Sequence, residues 1–186
     1  MLNQEDLRYP IGRFHHTTET SNEELEKAIK DIAVFPSWLE ETAELIRQDQ
    51  LNNTYRQGGW NIRQIIHHLA DSHINAYIRF KLALTETKPI IKPYKEELWS
   101  ELSDAKNENI FYSIKIIEGI HARWAYLMEN MDVEQFQCCY MHPEEFKLIT
   151  LSECARMYSW HGRHHLKHIQ NALDQNLDQE LLNSIF

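Results

Sequence analysis

Cysteine is scarce in this 186-residue chain, and its three thiols lack the spacing of a reactive or metal-binding motif. Cys138, Cys139 and Cys154 are odd in number, and no pair shows the C-x-x-C spacing of a zinc knuckle or redox motif. We therefore expect reduced thiols with structural roles. Glycine and proline are also few, at five each, which favours helix over sheet.

The chain also lacks long hydrophobic runs and an excess of positive charge. No apolar run approaches the roughly 18 to 20 residues of a membrane span, and residues 1–6 have neither the basic nor the apolar part of a signal peptide. The net charge is −9 and the 19 Lys and Arg residues are scattered, so a phosphate backbone would be repelled. These absences predict a soluble, cytoplasmic protein that binds neither membrane nor nucleic acid.

Histidine, in contrast, is abundant, with eleven in the chain and four of them between Trp160 and His168. An α-helix has 3.6 residues per turn, so His161 and His165 would lie one turn apart on one face. His164 and His168 would do the same alongside. Two imidazoles on one face can share a metal ion, so this stretch is the first candidate for chemistry.

Helical periodicity begins with a capping-box sequence at Ser21–Glu24, which predicts the start of a first helix. Pro36 then either bends one helix of about 25 residues or divides it into two. Gly58 and Gly59 separate this segment from a second helix, in which apolar residues recur at helical spacing over residues 62–84.

The second predicted helix carries two adjacent histidines, and periodicity does not choose between them. His68 lies beside Ile65 and Ser72 at one edge of the apolar stripe, whereas His67 lies at the other edge. Either histidine could face the interior of a bundle, so the pattern leaves this position open.

Residues 85–106 predict a long second connection, with a helical turn or two within residues 95–102. Connections of this length often cover a site. A third helix follows over residues 110–128, then a short capped helical turn at 132–136. Residues 140–149 predict either an irregular segment or a hairpin.

A second capping-box sequence, Thr150–Glu153, predicts the start of a fourth helix, whose stripe begins at Leu151. Gly162 in mid-helix costs about 1 kcal/mol against alanine, so we expect it to permit close approach of a neighbouring helix. His165 borders the stripe and His161 lies just beyond it. Both therefore point toward the interior or its lip.

Four amphipathic helices without a strand series or an internal repeat predict an all-α fold, a four-helix bundle. We expect one domain spanning residues 1–186, with residues 1–20 as an extended N-terminal arm and 174–186 as a tail. The long second connection argues against a simple up-down-up-down order. Bundles place metal sites between facing helices.

The histidine pair has both a metal-binding and a structural interpretation. A single buried histidine is usually a hydrogen-bonded core residue, but here a pair lies beside the core stripe and a third histidine lies on another helix. Zinc proteases carry a glutamate directly after the first histidine of this motif, and Gly162 holds that place, so we exclude that class. The spacing leaves a metal site of another kind or a solvated histidine-rich face.

Several motifs, in order along the chain, carry a resemblance to a known family. They are Tyr9-Pro10-Ile11-Gly12, Gly58-Gly59-Trp60, His67-His68-Leu69-Ala70-Asp71-Ser72-His73, Tyr77-Ile78-Arg79-Phe80, Trp99-Ser100-Glu101-Leu102, His142-Pro143, and Trp160-His161 with His164-His165. Up to about residue 169, the chain closely resembles the DinB/YfiT-like superfamily, and specifically its YfiT branch of metal-dependent hydrolases.

The resemblance implies a four-helix bundle that forms a homodimer and holds one divalent metal per chain, zinc or nickel, through three histidines. Carried over to the matching positions, these ligands are His68, His161 and His165. Imidazole suits zinc, nickel and copper alike, so ligand type does not name the native metal. Three protein ligands leave a position open, as in catalytic zinc sites.

Neighbouring polar residues have two interpretations each. Asp71 could orient a metal ligand or only solvate the helix. His164 and His168 could carry protons near the metal, but histidines on the flank of a helix are more often surface residues. Arg79 and Lys81 could meet an anionic substrate, although an ion pair with one of the many carboxylates is the plainer expectation. Asp71 and His164 are therefore weak candidates for catalysis, and the general base stays open.

The leading functional hypothesis is a metal-dependent hydrolase, in which the metal lowers the pKa of water so that it attacks a small-molecule substrate. The first alternative is a thiol S-transferase of the bacillithiol type, in which the metal holds a low-molecular-weight thiol as thiolate. The second alternative is a non-catalytic metal-binding module of a stress response.

Overall fold

The computed structural model describes residues 4–17, 19–144 and 146–174, which fold as four long helices with short elements between them. The four long helices confirm the predicted four-helix bundle. In chain order the elements are α1 (Gln4–Arg8), α2 (Asn22–Glu44), a 3₁₀ turn (Gln48–Asn52), α3 (Ile62–Thr85), α4 (Glu96–Trp99), α5 (Ser103–Asn107), α6 (Ile110–Glu129), α7 (Val133–Gln137), β1 (Cys139–His142), β2 (Lys147–Thr150) and α8 (Leu151–Leu173).

The helix order follows from which helices pack together. Helices α2 and α3 each pack mainly against α6 and α8, so the two that are consecutive along the chain lie across the bundle from each other. The bundle is therefore not a simple up-down series of neighbours. No helix within the described ranges is both long and apolar enough to cross a membrane.

Helix α2 runs through Pro36 as a single element, which decides between the two expectations for this segment. Its predicted capping box is confirmed, since Ser21 Oγ accepts from the Glu24 N–H at 3.2 Å and Glu24 Oε2 accepts from the Ser21 N–H at 2.9 Å. Pro36 has no N–H, so the carbonyl of Ile32, four residues earlier, receives no bond from it within the helix.

The second connection contains the predicted helical turn as α4, and a further short helix, α5, that the sequence pattern did not indicate. Residues 140–149 form the hairpin alternative, with Cys139 opposite Thr150 and His142 opposite Lys147. The connection is fixed to this hairpin because the Ile91 N–H donates to the Met141 carbonyl at 3.1 Å.

Only one of the two hydrogen bonds of the predicted capping box is present at the start of α8, so the prediction was wrong for the other. Thr150 Oγ1 does accept from the Glu153 N–H at 3.2 Å. The Glu153 carboxylate, however, does not return the bond; it contacts Lys147 Nζ at 2.6 Å and His16 Nδ1 at 3.0 Å. A carboxylate that is 1% exposed is stabilised more by a cation than by one backbone N–H.

The N-terminal arm lies along α8 and begins with the short helix α1, which the sequence pattern did not predict. Trp160 Nε1 donates to the Gly12 carbonyl at 3.3 Å, and Arg156 Nη2 donates to the His15 carbonyl at 3.3 Å. Apart from Asp174, the predicted C-terminal tail lies outside the described residues.

Gly162 permits the close helix approach that its mid-helix position predicted. A Cβ at this position would lie 2.8 Å from two ring carbons of Phe35 on α2. Phe35 in turn stacks on the His73 ring, with 5.3 Å between ring centroids. The glycine therefore fixes how closely α2 and α8 pack beside the buried histidines.

Replacing Gly162 by alanine is expected to lower the free energy of unfolding by about 1–3 kcal/mol, because overpacking against Phe35 outweighs the gain in helix propensity. Urea unfolding would measure it. Gly119 in α6 is the matched control, since nothing lies within 4 Å of its added Cβ. Gly119→Ala should stabilise the protein by up to about 1 kcal/mol, and a stabilising Gly162→Ala would contradict the packing argument.

Candidate metal centre

Three histidines from two helices meet at one end of the seam between α3 and α8. His68 Nε2 lies 3.2 Å from His161 Nε2, and one ring nitrogen from each of His68, His161 and His165 lies within 4.8 Å of the others. Nitrogens bound to one tetrahedral zinc at about 2.0–2.1 Å are about 3.4 Å apart. The spacing is therefore suited to a shared metal ion.

The two adjacent histidines of α3 have different surroundings. His67 turns away from the seam, where its Nδ1 contacts Ser113 Oγ at 2.8 Å and its Nε2 contacts the Glu108 carbonyl at 3.3 Å. His68 faces α8 and packs against the Trp60 ring at 4.6 Å between centroids. The choice that periodicity left open is thus decided by which side of α3 faces α8.

Burial keeps the three imidazoles neutral. It lowers the pKa of His68 to about 4, and burial together with neighbouring histidines holds the pKa of His161 and His165 well below the ordinary value. A metal ligand must offer a lone pair, which only the neutral ring has. The site is therefore ready to bind a metal without first releasing protons near neutral pH.

A chain of buried histidines leads from His161 to the far side of the bundle. The carbonyl of Ile32 contacts His121 Nδ1 at 2.6 Å, His121 Nε2 contacts His73 Nδ1 at 2.7 Å, and His73 Nε2 contacts His161 Nδ1 at 3.2 Å. The buried apolar side chains of the bundle form two clusters, one containing Phe35 and the other Trp124. His73 contacts the rings of both residues. The histidine chain forms a polar layer between the two parts of the core.

The Ile32 carbonyl at the end of this chain determines which ring nitrogen of each histidine carries the proton. A carbonyl only accepts, so His121 must donate from Nδ1, and its neutral ring then accepts at Nε2. His73 must in turn donate from Nδ1 and accept at Nε2, which requires His161 to donate from Nδ1. The lone pair of His161 is therefore on Nε2, the nitrogen that faces His68. The Ile32 carbonyl is available because Pro36 gives it no helical donor.

A second, shorter chain acts on His165 in the same way. His168 Nε2 contacts the Arg8 carbonyl of the N-terminal arm at 3.2 Å, and His168 Nδ1 contacts His165 Nδ1 at 3.3 Å. His168 donates to the carbonyl and accepts at Nδ1, so His165 donates from Nδ1. Its lone pair is left on Nε2. Hydrogen bonds of this kind orient metal-ligating histidines and raise their basicity.

The other candidate residues, His164, His168 and Asp71, differ in their contacts with the site histidines. The expectation that His164 and His168 are surface residues was wrong, since they are only 6% and 1% exposed. His164 stacks on Trp160 at 4.4 Å and belongs with His165 and His168 to a second group of ring nitrogens within 4.8 Å. Within the described residues, Asp71 has no hydrogen bond to a site histidine; burial and Asp104 raise its pKa to about 6.

A cavity of about 720 Å³ opens onto the three histidines. Its wall combines Tyr9 of the arm, Trp60 of the loop before α3, and Glu97 of the second connection. The connection therefore covers the site, as its length predicted. The cavity is large enough for a small-molecule substrate.

Comparison with known proteins identifies the family. The family model described as the DinB superfamily matches residues 36–169. The chain belongs to the DinB superfamily. It is 42% identical over 164 residues to "Putative metal-dependent hydrolase YfiT" of Bacillus subtilis (strain 168), covering 88% of this chain and 92% of that protein. A relative from Halalkalibacterium halodurans with a similar name is 41% identical over 168 residues, covering 90% and 97%.

Two solved structures share this fold. The structure of B. subtilis YfiT, described as a probable metal-dependent hydrolase with an unusual four-helix bundle topology, superposes with a TM-score of 0.88 at 40% identity, covering 91% of this chain and 97% of that one. A mycothiol-dependent maleylpyruvate isomerase has a TM-score of 0.62 at 17% identity, covering 78% and 60%, and shares the fold.

His73 and His121 are the site residues that sequence reasoning missed. Both lie at fully buried positions of their helices, where a histidine is usually interpreted as a core residue. The available signal was a proline inside a helix, because Pro36 frees a carbonyl that a buried donor must satisfy. Nothing in the sequence indicated that this donor is His121.

Metal-free protein is expected to lose stability steeply as the pH falls from about 6.5 toward 4. The unfolded state then binds more protons than the folded state, so each histidine with a lowered pKa contributes up to about 1.4 kcal/mol per pH unit. The stability is fully present above pH 6.5. Urea unfolding against pH measures it, and a flat profile would contradict this account. The histidines concerned are His67, His68, His73, His121, His161, His164, His165 and His168.

Replacing His121 by leucine is expected to weaken metal binding by about 10- to 100-fold, since the proton position on His161 is then no longer fixed. Competition titration with a chromophoric chelator measures the affinity. His67→Leu is the matched control, because His67 is also buried and hydrogen-bonded but does not contact the site. Equal losses in the two variants would show a general effect on folding instead.

Proposed function

We propose that the protein is a metal-dependent hydrolase whose one divalent ion, zinc or nickel, is held by His68, His161 and His165. The observation that carries the proposal is the convergence of three ring nitrogens, one each from His68, His161 and His165, within 4.8 Å of one another. The hydrogen-bond chains leave lone pairs on Nε2 of His161 and His165, and His68 Nε2 lies 3.2 Å from His161 Nε2. Names of relatives at 41–42% identity support the same class of activity.

The donor set fits zinc or nickel. Neutral imidazoles bind both metals, and three protein ligands leave a position for water or substrate. A divalent ion in such a site polarises a carbonyl and lowers the pKa of water toward neutrality, which is the chemistry that hydrolysis requires.

The surrounding residues would position the substrate and shield it from water. Trp60 packs on both His68 and His165, with centroids 4.6 and 6.3 Å apart, and gives the cavity an aromatic wall. His164, with its Nδ1 buried and unpaired among the described residues, is the remaining group beside the metal ligands that could hold or move a proton. Homodimerisation remains a prediction, which light scattering would test.

Purified protein is expected to contain one equivalent of divalent metal per chain, and His165→Ala should lose most of it, since two ligands replace three. Elemental analysis measures both. His16→Ala is the control, because His16 is an exposed histidine whose partner is Glu153. Protein free of metal, or full metal content in His165→Ala, would refute the proposed centre.

The reaction class is tested with the metal-loaded protein against ester and amide panels, in parallel with a low-molecular-weight thiol plus an electrophile. Hydrolysis that depends on His165 is the expected result. Thiol conjugation without hydrolysis would replace the hydrolase by the S-transferase. If neither reaction occurs, the non-catalytic metal-binding module is favoured.

A further inference from the structure

A second cavity of about 520 Å³ adjoins the metal centre and is not needed to hold the metal. Both cavities share His161 and the helix α4 as walls. The second cavity continues along α3 toward its C-terminal end, where Ser72 and Arg79 follow His68 on the same helix face. Eleven residues separate His68 from Arg79, a rise of about 16 Å along the helix axis.

Arg79 is a buried cation without an anionic partner. Arg79 is only 8% exposed. Within residues 4–17, 19–144 and 146–174, its guanidinium makes no hydrogen bond or salt bridge. The plainer expectation of an ion pair was therefore wrong. Its contact with an aromatic ring, Tyr140 at 6.0 Å, is at the limit of a cation–π distance.

The groups nearest to this charge cannot neutralise it. Tyr94, Tyr140, Tyr158 and the Cys154 thiol surround Arg79, and burial raises the pKa of Tyr158 to about 12 and of Cys154 to about 11. These groups are neutral near pH 7. A guanidinium that is mostly buried without a counterion is costly. Arg79 lines the cavity and its nitrogens are not fully buried, so an anion that enters the cavity could reach it.

A second unpaired donor lies in the same cavity. The Tyr94 hydroxyl is buried and lies near the Ser72 hydroxyl, but it makes no hydrogen bond of normal length and angle among the described residues. The neighbouring Ser72 hydroxyl instead donates to the Tyr158 hydroxyl at 3.4 Å. A planar guanidinium and a phenol that both lack acceptors are the groups that recognise an oxyanion.

We propose that Arg79 and Tyr94 form a carboxylate-binding subsite that holds the acid group of an organic substrate while its other end reaches the metal centre. The role as a substrate subsite rests on the proposed function, whereas the binding itself does not. Glu96, Glu97 and Glu144 line the same cavity, so a singly charged carboxylate is favoured over a phosphate dianion.

The test is an NMR titration of metal-free and metal-loaded protein with propionate, its neutral isostere propionamide, and methylphosphonate. We expect propionate to bind most tightly, and Arg79→Met to weaken it by about tenfold or more. Tyr94→Phe, which removes only the unpaired hydroxyl, should weaken it by a few-fold. Arg123→Met is the matched control, since Arg123 also lies over a tyrosine ring, Tyr77 at 5.4 Å, but is exposed.

Unfolding of the ligand-free variants separates a binding role from a structural one. If Arg79 serves to bind a ligand, Arg79→Met should unfold at the same or a higher urea concentration than the parent, because an uncompensated buried charge is removed. A lower midpoint would assign Arg79 to the fold and overturn the proposal. Equal affinity for propionate and propionamide, tighter binding of methylphosphonate, or unchanged binding by Arg79→Met would also overturn it. Because metal-free protein is included, failure of the hydrolase proposal does not affect this result.

Discussion

The direction of hydrogen bonds is the constraint on which this structure depends. Backbone carbonyls can only accept, and a neutral imidazole must donate from one nitrogen if it accepts at the other. Two carbonyls, those of Ile32 and Arg8, therefore determine where the protons lie on histidines that they do not touch. Any other placement on the neutral rings would leave two acceptors or two donors facing each other inside the bundle, at a large cost in free energy.

Local sequence patterns predict the helices of the bundle, but they do not predict which residues meet at the site. Periodicity and capping signals predicted the four helices because each helix is specified by residues close to one another in the chain, as with Ser21 and Glu24. The pairing of His68 with His161 depends on how α3 and α8 meet, which local pattern does not encode. Resemblance to a family supplied that pairing, and the structure places the two Nε2 atoms 3.2 Å apart.

The errors have a common physical origin. Sequence reasoning placed His168 at a helix flank because it lies beside the apolar stripe of α8, but the N-terminal arm and the stacked Tyr55 ring cover it. Glu153 was expected to cap its own helix, but Lys147 from β2 offered a stronger partner. Arg79 was expected to find a carboxylate, but the fold surrounds it with neutral hydroxyls. In each case residues outside the helix concerned decided the outcome.

The attachment of the N-terminal arm to α8 has a practical consequence. Because the Arg8 carbonyl ends the hydrogen-bond chain to His165, the N-terminal arm belongs to the hydrogen-bond network of the proposed metal centre. If His165 binds the metal as proposed, proteolytic trimming past Arg8, or a fused tag that displaces α1, would change the measured metal content although no proposed ligand is altered. Preparations that differ only at their amino termini should therefore not be compared as though they contained the same site.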